Sequence, residues 1–297
     1  MRSSLRFLCL WLLLMLSGCA NSASADPSTP PPSDTHYITV KGSDTMVNLA
    51  LAWAEQYQEI HPEVRLSVTG GGTGTGIAAL INGSVDLANA SRAIKPEEFE
   101  QAKQAGFMPV EFTVARDAIA IIVNPANPVS QLTLEQISQI YRGNIKNWKE
   151  LGGEDRPIVS LSRETNSGTH VYFLETVVRL NNKKDKSIFS PTTLLLPSSE
   201  GIIAEVRDNP NAIGYDGLGY VTPEVKVIAV ARDAESPYIL PSVETVNEGI
   251  YPISRDLYIY TRGKPSGIKQ DYLNWIKSAE AQKIVSQLGF VPIKPMP

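Results

Sequence analysis

Cysteine is almost missing from this chain of 297 residues: it occurs only as Cys9 and Cys19. Beyond Cys19 there is no thiol, so neither a disulfide nor a cysteine-based metal site can staple the body of the protein. A buried core has to hold it instead. Histidine is nearly as scarce. His36, His61 and His170 lie far apart and show none of the spacing of a zinc or two-metal hydrolase site, so no metal is expected. Basic excess is lacking too. The formal net charge is −4, which argues against a nucleic-acid partner because that partner requires a basic patch. The long apolar run Phe7 to Leu16 is too short for a stable bilayer anchor. The Gly-rich segment Gly70 to Gly76 lacks the Gly-Lys-Ser/Thr ending of a nucleotide P-loop, and no Gly-x-Ser-x-Gly elbow occurs. Gly74-x-Gly76-x-x-Ala79 is only a loosened dinucleotide fingerprint, and no cofactor is implied.

The N-terminus reads as an address. Arg2 and Arg6 precede the apolar run, and Leu16-Ser17-Gly18-Cys19 resembles a bacterial lipobox. The expectation is a signal peptide over residues 1–18, lipid on Cys19, and an extracytoplasmic protein held to a bacterial membrane at the periplasm or cell surface. Residues 19–36 are rich in Ser, Ala, Pro and Asp and read as a flexible tether. Loss of Arg2 and Arg6 takes the net charge to about −6, so any anion must be attracted by aimed local donors and not by global charge.

The remaining sequence alternates strand and helix patterns, which predicts an α/β architecture with open, mainly parallel sheets. Strands Tyr37–Val40, Val64–Val68 and Val85–Ala90 each run into a polar turn: Ser43 to Thr45, Thr73 to Gly76, and Ser91-Arg92. Ligands of open α/β sheets sit beyond such strand ends. A fourth turn is the most informative. Ile158 to Leu161 reads as a strand, Ser162-Arg163-Glu164-Thr165-Asn166-Ser167-Gly168-Thr169 follows, and His170 to Val178 reads as a helix. Unpaired first-turn amides, two hydroxyls and an arginine fork suit an oxyanion. The same residue types also make an ordinary N-cap. Apolar strands at Asp117–Asn124 and Ser254–Thr261 flank an inserted unit, as a hinge with two crossings requires. One lobe is therefore expected at 37–121 plus 252–297, the other at 122–251, with a cleft between them.

In order along the chain, Gly42-Ser43-Asp44-Thr45, Gly71 to Ile77, Ala90-Ser91-Arg92, Asp117 to Ala120, Ser162-Arg163 with Ser167-Gly168-Thr169, and Tyr251-Pro252-Ile253-Ser254 resemble the PstS-type phosphate-binding proteins of bacterial phosphate ABC transporters. Each motif is weak alone; their order is specific. The resemblance implies the type II two-lobed periplasmic-binding-protein fold. It also implies a dehydrated inorganic phosphate held between lobes and delivered to permease subunits, without catalysis. By position it assigns the ligand shell to Thr45, Met46, Thr73, Ser91, Arg92, Arg163, Ser167, Gly168 and Thr169, with Asp117 beside them. Some members of the family carry aspartate where this chain has Arg92, so the acceptor for the phosphate proton is expected to fall to Asp117. Asp117 also suits a turn, a cap, or a partner orienting Arg92 or Arg163. Two other readings remain: another oxyanion, such as sulfate or molybdate, and a phosphate-ester hydrolase with Ser167 as nucleophile. A monomer suits a shuttle that must present both lobes.

Overall fold

The computed structural model describes residues 35–293. The expected leader, Cys19 and nearly all of the expected tether lie outside them. In chain order the elements are β1 (His36–Gly42), α1 (Val47–Ile60), β2 (Val64–Thr69), α2 (Thr73–Ile81), β3 (Leu87–Ala90), α3 (Pro96–Gln104), β4 (Pro109–Val123), β5 (Gln131–Thr133), α4 (Leu134–Tyr141), β6 (Val159–Arg163) and α5 (Gly168–Phe173). Then come β7 (Leu194–Leu196), α6 (Ser199–Asp208), β8 (Ala212–Gly217), β9 (Lys226–Ala231), α7 (Val243–Asn247), β10 (Ser254–Arg262), α8 (Ile268–Ile276) and α9 (Ala279–Gln287).

The strands form one continuous path, β2-β1-β3-β10-β4-β8-β6-β7, with β9 paired to β4 and β5 paired to β9. β1 pairs in parallel with β2 and β3, and β6 with β7 and β8. The long strands depart from the expected parallel arrangement. β10 runs antiparallel to β3 and β4, and β4 runs antiparallel to β8 and β9. The reason is that β4 and β10 connect two α/β units and do not belong to a helix crossover within either. β4 pairs with β10 up to Ala118 and with β8 from Ile119 onward.

From Ala118 to Val123 every residue of β4 is fully buried. Ala120 and Ile122 pack into one apolar core, while Ile119, Ile121 and Val123 pack into the other. Successive side chains of a strand point to opposite faces, so a continuous apolar run is what a strand covered on both sides needs. Trp53 of α1 is fully buried and donates its indole N–H to Ala281 O of α9 at 3.0 Å, tying the C-terminal helix onto the first unit. Trp148 does the same in the second unit through Asn211 O at 3.0 Å. Both tryptophans are buried in packing roles. Among the described residues no helix is long and apolar enough to cross a membrane.

Candidate functional site

Strand ends deliver the site. β1 ends at Gly42, and the short turn Asp44–Met46 that follows buries Thr45. β2 leads through Gly70-Gly71-Gly72 into α2, whose first residue is Thr73. Helical residues begin at Thr73, four positions before the helix start expected from apolar spacing. β3 ends at Ala90, directly before Ser91. From the other unit, β6 ends at Arg163, and Ser167 caps α5, which continues as a wider π turn over Leu174–Val178.

These corners meet. Thr45 Oγ1 lies 2.8 Å from Thr169 Oγ1. Thr73 Oγ1 lies 3.3 Å from Ser91 Oγ and accepts from Ser91 N at 3.1 Å. Gly168 sits against both: a Cβ there would stand 2.3 Å from Thr73 Oγ1 and 2.5 Å from Ser91 Oγ. Thr45, Thr73, Ser91 and Thr169 are at most 1% exposed. Four hydroxyls from two units thus share one buried point, with the N-terminus of α5 aimed beside them. Ser167 Oγ accepts from Thr169 N at 3.2 Å and His170 N at 3.4 Å, so it acts as an N-cap. The Met46 amide donates to Ser43 O at 3.1 Å within its own turn.

The charged residues stand behind the hydroxyls, each with a partner. Arg92 forms a two-pronged pair with Glu98 at 2.6 and 2.8 Å. Arg163 donates to Asp44 Oδ2 at 2.8 Å, Ser199 Oγ at 2.9 Å and Pro197 O at 2.8 Å. Its Nη1 is 3.8 Å from Asp216 Oδ2. Asp117 is fully buried; its Oδ1 accepts from Leu218 N at 3.2 Å and its Oδ2 from Arg255 at 2.9 and 3.3 Å. The arginine that Asp117 orients is therefore Arg255, and neither Arg92 nor Arg163.

Arg255 is the residue that sequence reasoning missed. It lies on β10 one position beyond the Tyr-Pro-Ile-Ser segment, where an apolar strand pattern hid it. A charged residue inside an otherwise buried strand was the available signal. Its Nη2 reaches Thr45 Oγ1 at 3.3 Å and Thr169 Oγ1 at 3.0 Å, and its Nη1 donates to Ser91 O at 3.0 Å.

Burial raises the Asp117 carboxyl above its usual range, and the Arg255 charge opposes this. Burial pushes Asp216 up to about 6, against the pull of Arg163. His170 is buried, not exposed, and burial lowers its pKa, which keeps the imidazole neutral near pH 7. Its Nδ1 is 3.0 Å from Ser162 Oγ. Among the described residues no group of three or more His, Cys, Asp or Glu side chains is arranged to hold a metal ion.

The two units also touch directly around the hydroxyls. Asn166 O accepts from Gly74 N at 3.0 Å, and Asn166 Nδ2 donates to Gly71 O at 2.9 Å. Gly72 has φ +87°, and a Cβ on it would come within 2.8 Å of Asn166 O, so only glycine fits under that loop.

Comparison with known proteins agrees with this geometry. A family model described as a PBP superfamily domain matches residues 27–280. The phosphate-binding protein PstS of Pseudomonas aeruginosa is 30% identical, with 93% of this chain and 90% of that protein covered. PstS of Bacillus subtilis is also 30% identical, over 96% of this chain and 91% of that protein. Among solved structures, a phosphate ABC transporter substrate-binding protein with bound phosphate from Clostridium perfringens superposes with a TM-score of 0.78 at 32% identity, covering 87% of this chain and all of that one. An ABC-type phosphate transport receptor from Vibrio cholerae gives a TM-score of 0.67 at 33% identity, covering 88% of this chain and all of that one. Two α/β units joined by paired long strands, donor-rich strand ends meeting between them, and these likenesses over nearly the whole described chain lead to one assignment: the chain belongs to the PBP superfamily and, within it, to the PstS family of two-lobed phosphate-binding proteins.

Proposed function

We propose that this protein captures inorganic phosphate between its two lobes and delivers it to the permease subunits of a phosphate ABC transporter, acting by binding and not by catalysis. The observation that carries this reading is the buried meeting of Thr45, Thr73, Ser91 and Thr169 from both units. A dehydrated tetrahedral anion needs many short, aimed donors to replace its water shell, and hydroxyls at strand ends and a helix N-terminus supply them. The proposed shell is completed by the backbone of Gly168 and Ser167, with Met46 at its edge. Arg92, Asp117 and Arg163 set its electrostatics from behind.

The lobes would be residues 37–121 plus 252–297 and residues 122–251, closing by hinge bending about β4 and β10. The change of partner along β4 after Ala118 supports a crossing close to that boundary. In this reading the mature protein is a monomer lipid-anchored through Cys19 on the outer side of a bacterial membrane.

Calorimetric titration of the protein with phosphate, sulfate and molybdate is the direct test. The expected result is saturable binding of phosphate well ahead of the other two, and its loss in Thr45→Ala. Absence of phosphate binding at millimolar concentration overturns the reading. The hydrolase alternative has no support in the geometry, because the hydroxyl of Ser167 serves the backbone of its own helix.

A further inference from the structure

The family resemblance places the ligand cation at Arg163 and the proton acceptor at Asp117; the hydrogen bonds distribute these roles differently. A guanidinium has five N–H donors. Four of those in Arg163 go to protein acceptors: Nε to Leu196 O at 3.4 Å, Nη1 to Ser199 Oγ, and Nη2 to Asp44 Oδ2 and Pro197 O. Its remaining capacity lies at Nη1, beside the Asp216 carboxylate. Arg92 is turned to Glu98 and Ala93 O through Nη1 and Nη2, and its buried Nε has no partner among the described residues. Arg255 differs from both. Its Nη2 reaches the hydroxyl oxygens of Thr45 and Thr169, one from each side of the cleft, and its Nη1 reaches the backbone of Ser91. Thr45 and Thr169 share one hydrogen bond at 2.8 Å, so with both accepting from the guanidinium one of their two protons remains to be donated onward. Arg255 therefore stands against the meeting point of the hydroxyls, with one nitrogen serving both lobes.

Both oxygens of Asp117 are already engaged by the protein, with three of about four acceptor sites taken. Oδ2 accepts twice from Arg255 and Oδ1 accepts from the amide of Leu218. Of the other carboxylates, Asp216 keeps one buried oxygen without a hydrogen bond, but it lies behind Arg163 at 3.8 Å, while two more are occupied. Asp44 accepts from Arg163 and Gly71 N, and Glu98 from Arg92 and Lys95 N. Tyr172 of α5 also flanks Arg255, whose Cζ lies 5.6 Å from the centre of its ring.

We propose that Arg255 is the cation that contacts the bound anion, and that Asp117 is its positioning residue and not the acceptor of the ligand's proton. This rests on the phosphate reading above and deepens it. Asp117 fixes the fork through a charged pair, and the fork presents donors where the four hydroxyls meet. Arg163 instead ties the clamp loop to Asp44 of the opposite lobe.

The test is calorimetric titration of the full-length protein with inorganic phosphate and with sulfate, for wild type, Arg255→Lys and Asp117→Asn, alongside thermal melts without ligand. Lysine keeps the charge and loses the fork, so phosphate affinity should fall about 30-fold or more in Arg255→Lys. Asp117→Asn should weaken phosphate about tenfold and leave sulfate no better bound than in wild type, because only the aim of Arg255 changes. The proposal is overturned if Arg255→Lys stays within about threefold of wild type, or if Asp117→Asn gains about tenfold or more in sulfate affinity, the signature of a lost proton acceptor. If Arg255→Lys melts far below wild type, the sulfate response of Asp117→Asn decides. Failure of the phosphate reading itself is separate: it appears as a wild-type protein that does not bind phosphate.

Discussion

At the scale of single residues, the site depends on closeness as much as on donors. Gly168 lets the start of α5 approach Thr73 and Ser91 to a distance that no side chain permits. Gly168→Ala should therefore push the clamp away from the hydroxyls. Overpacking of this kind costs about 1–3 kcal/mol, and here it acts on the closed arrangement. The expected outcome is phosphate affinity reduced by about 10- to 100-fold with a smaller change in melting temperature, read by calorimetry and a thermal melt. Unchanged affinity would show that the two lobes do not meet at this glycine when ligand is bound. The sequence pattern announced Gly168 because Ser-Gly-Thr after an arginine is a compact motif. It did not announce Arg255, whose partners Thr45, Asp117 and Thr169 come from three separate segments. Motifs report what neighbours in sequence do together, whereas the pairing of Arg255 with Asp117 across two antiparallel strands shows in the sequence only as charged residues within each apolar strand.

Elements repeat that lesson. Helices with caps and clear spacing were legible nearly to the residue: α3 runs from Pro96 to Gln104 as its proline and early acids suggest. The start of α2 is not legible from apolar spacing, because Thr73-Gly74-Thr75-Gly76 has poor helix propensity and is held by tertiary contact with Asn166. The antiparallel direction of β4 and β10 is not legible from periodicity, which reports burial, because direction is set by connections. The Asn166 loop is also where one element acts on another. Its amide bond to Gly71 O crosses the cleft at an exposed position. Asn166→Ala removes that single bond and keeps the backbone bond to Gly74. A hydrogen bond of this type contributes about 0.5–1.5 kcal/mol, so phosphate should leave the variant roughly 2- to 10-fold faster. Stopped-flow displacement followed by tryptophan emission measures this. A dissociation rate equal to wild type would mean that the loop contact contributes nothing to holding the lobes shut.

For the molecule as a whole, the donor-lined cleft comes with buried charge, and that charge should make stability depend on pH. Asp216 is fully buried between Ser199, Gly217 N and Arg163, and its pKa rises from 3.8 to about 6. Between those values the native state holds a proton that the unfolded chain has released. Its contribution is therefore fully present below the unfolded value and is lost as pH climbs through the folded one. His170 acts in the opposite sense. Its lowered pKa means the unfolded chain binds the proton more readily, so acid removes stability below about pH 6.5. The two slopes overlap and partly cancel in wild type, which hides both. Asp216→Asn should expose them. Relative to wild type, this variant is expected to gain about 3 kcal/mol between pH 4 and pH 7, since the asparagine never has to ionise inside the fold. What remains in the variant is the opposition of His170, which gains stability as pH rises, and Asp117, whose raised pKa loses it. Urea denaturation of both proteins across that range, without phosphate, gives the comparison directly. A difference between the two that stays constant with pH would mean that Asp216 ionises in the fold as easily as in the open chain, with Arg163 fully offsetting its burial. In that case the cleft would lie on an already balanced charge network, and the affinity for phosphate would owe nothing to the protonation of the carboxylates behind it.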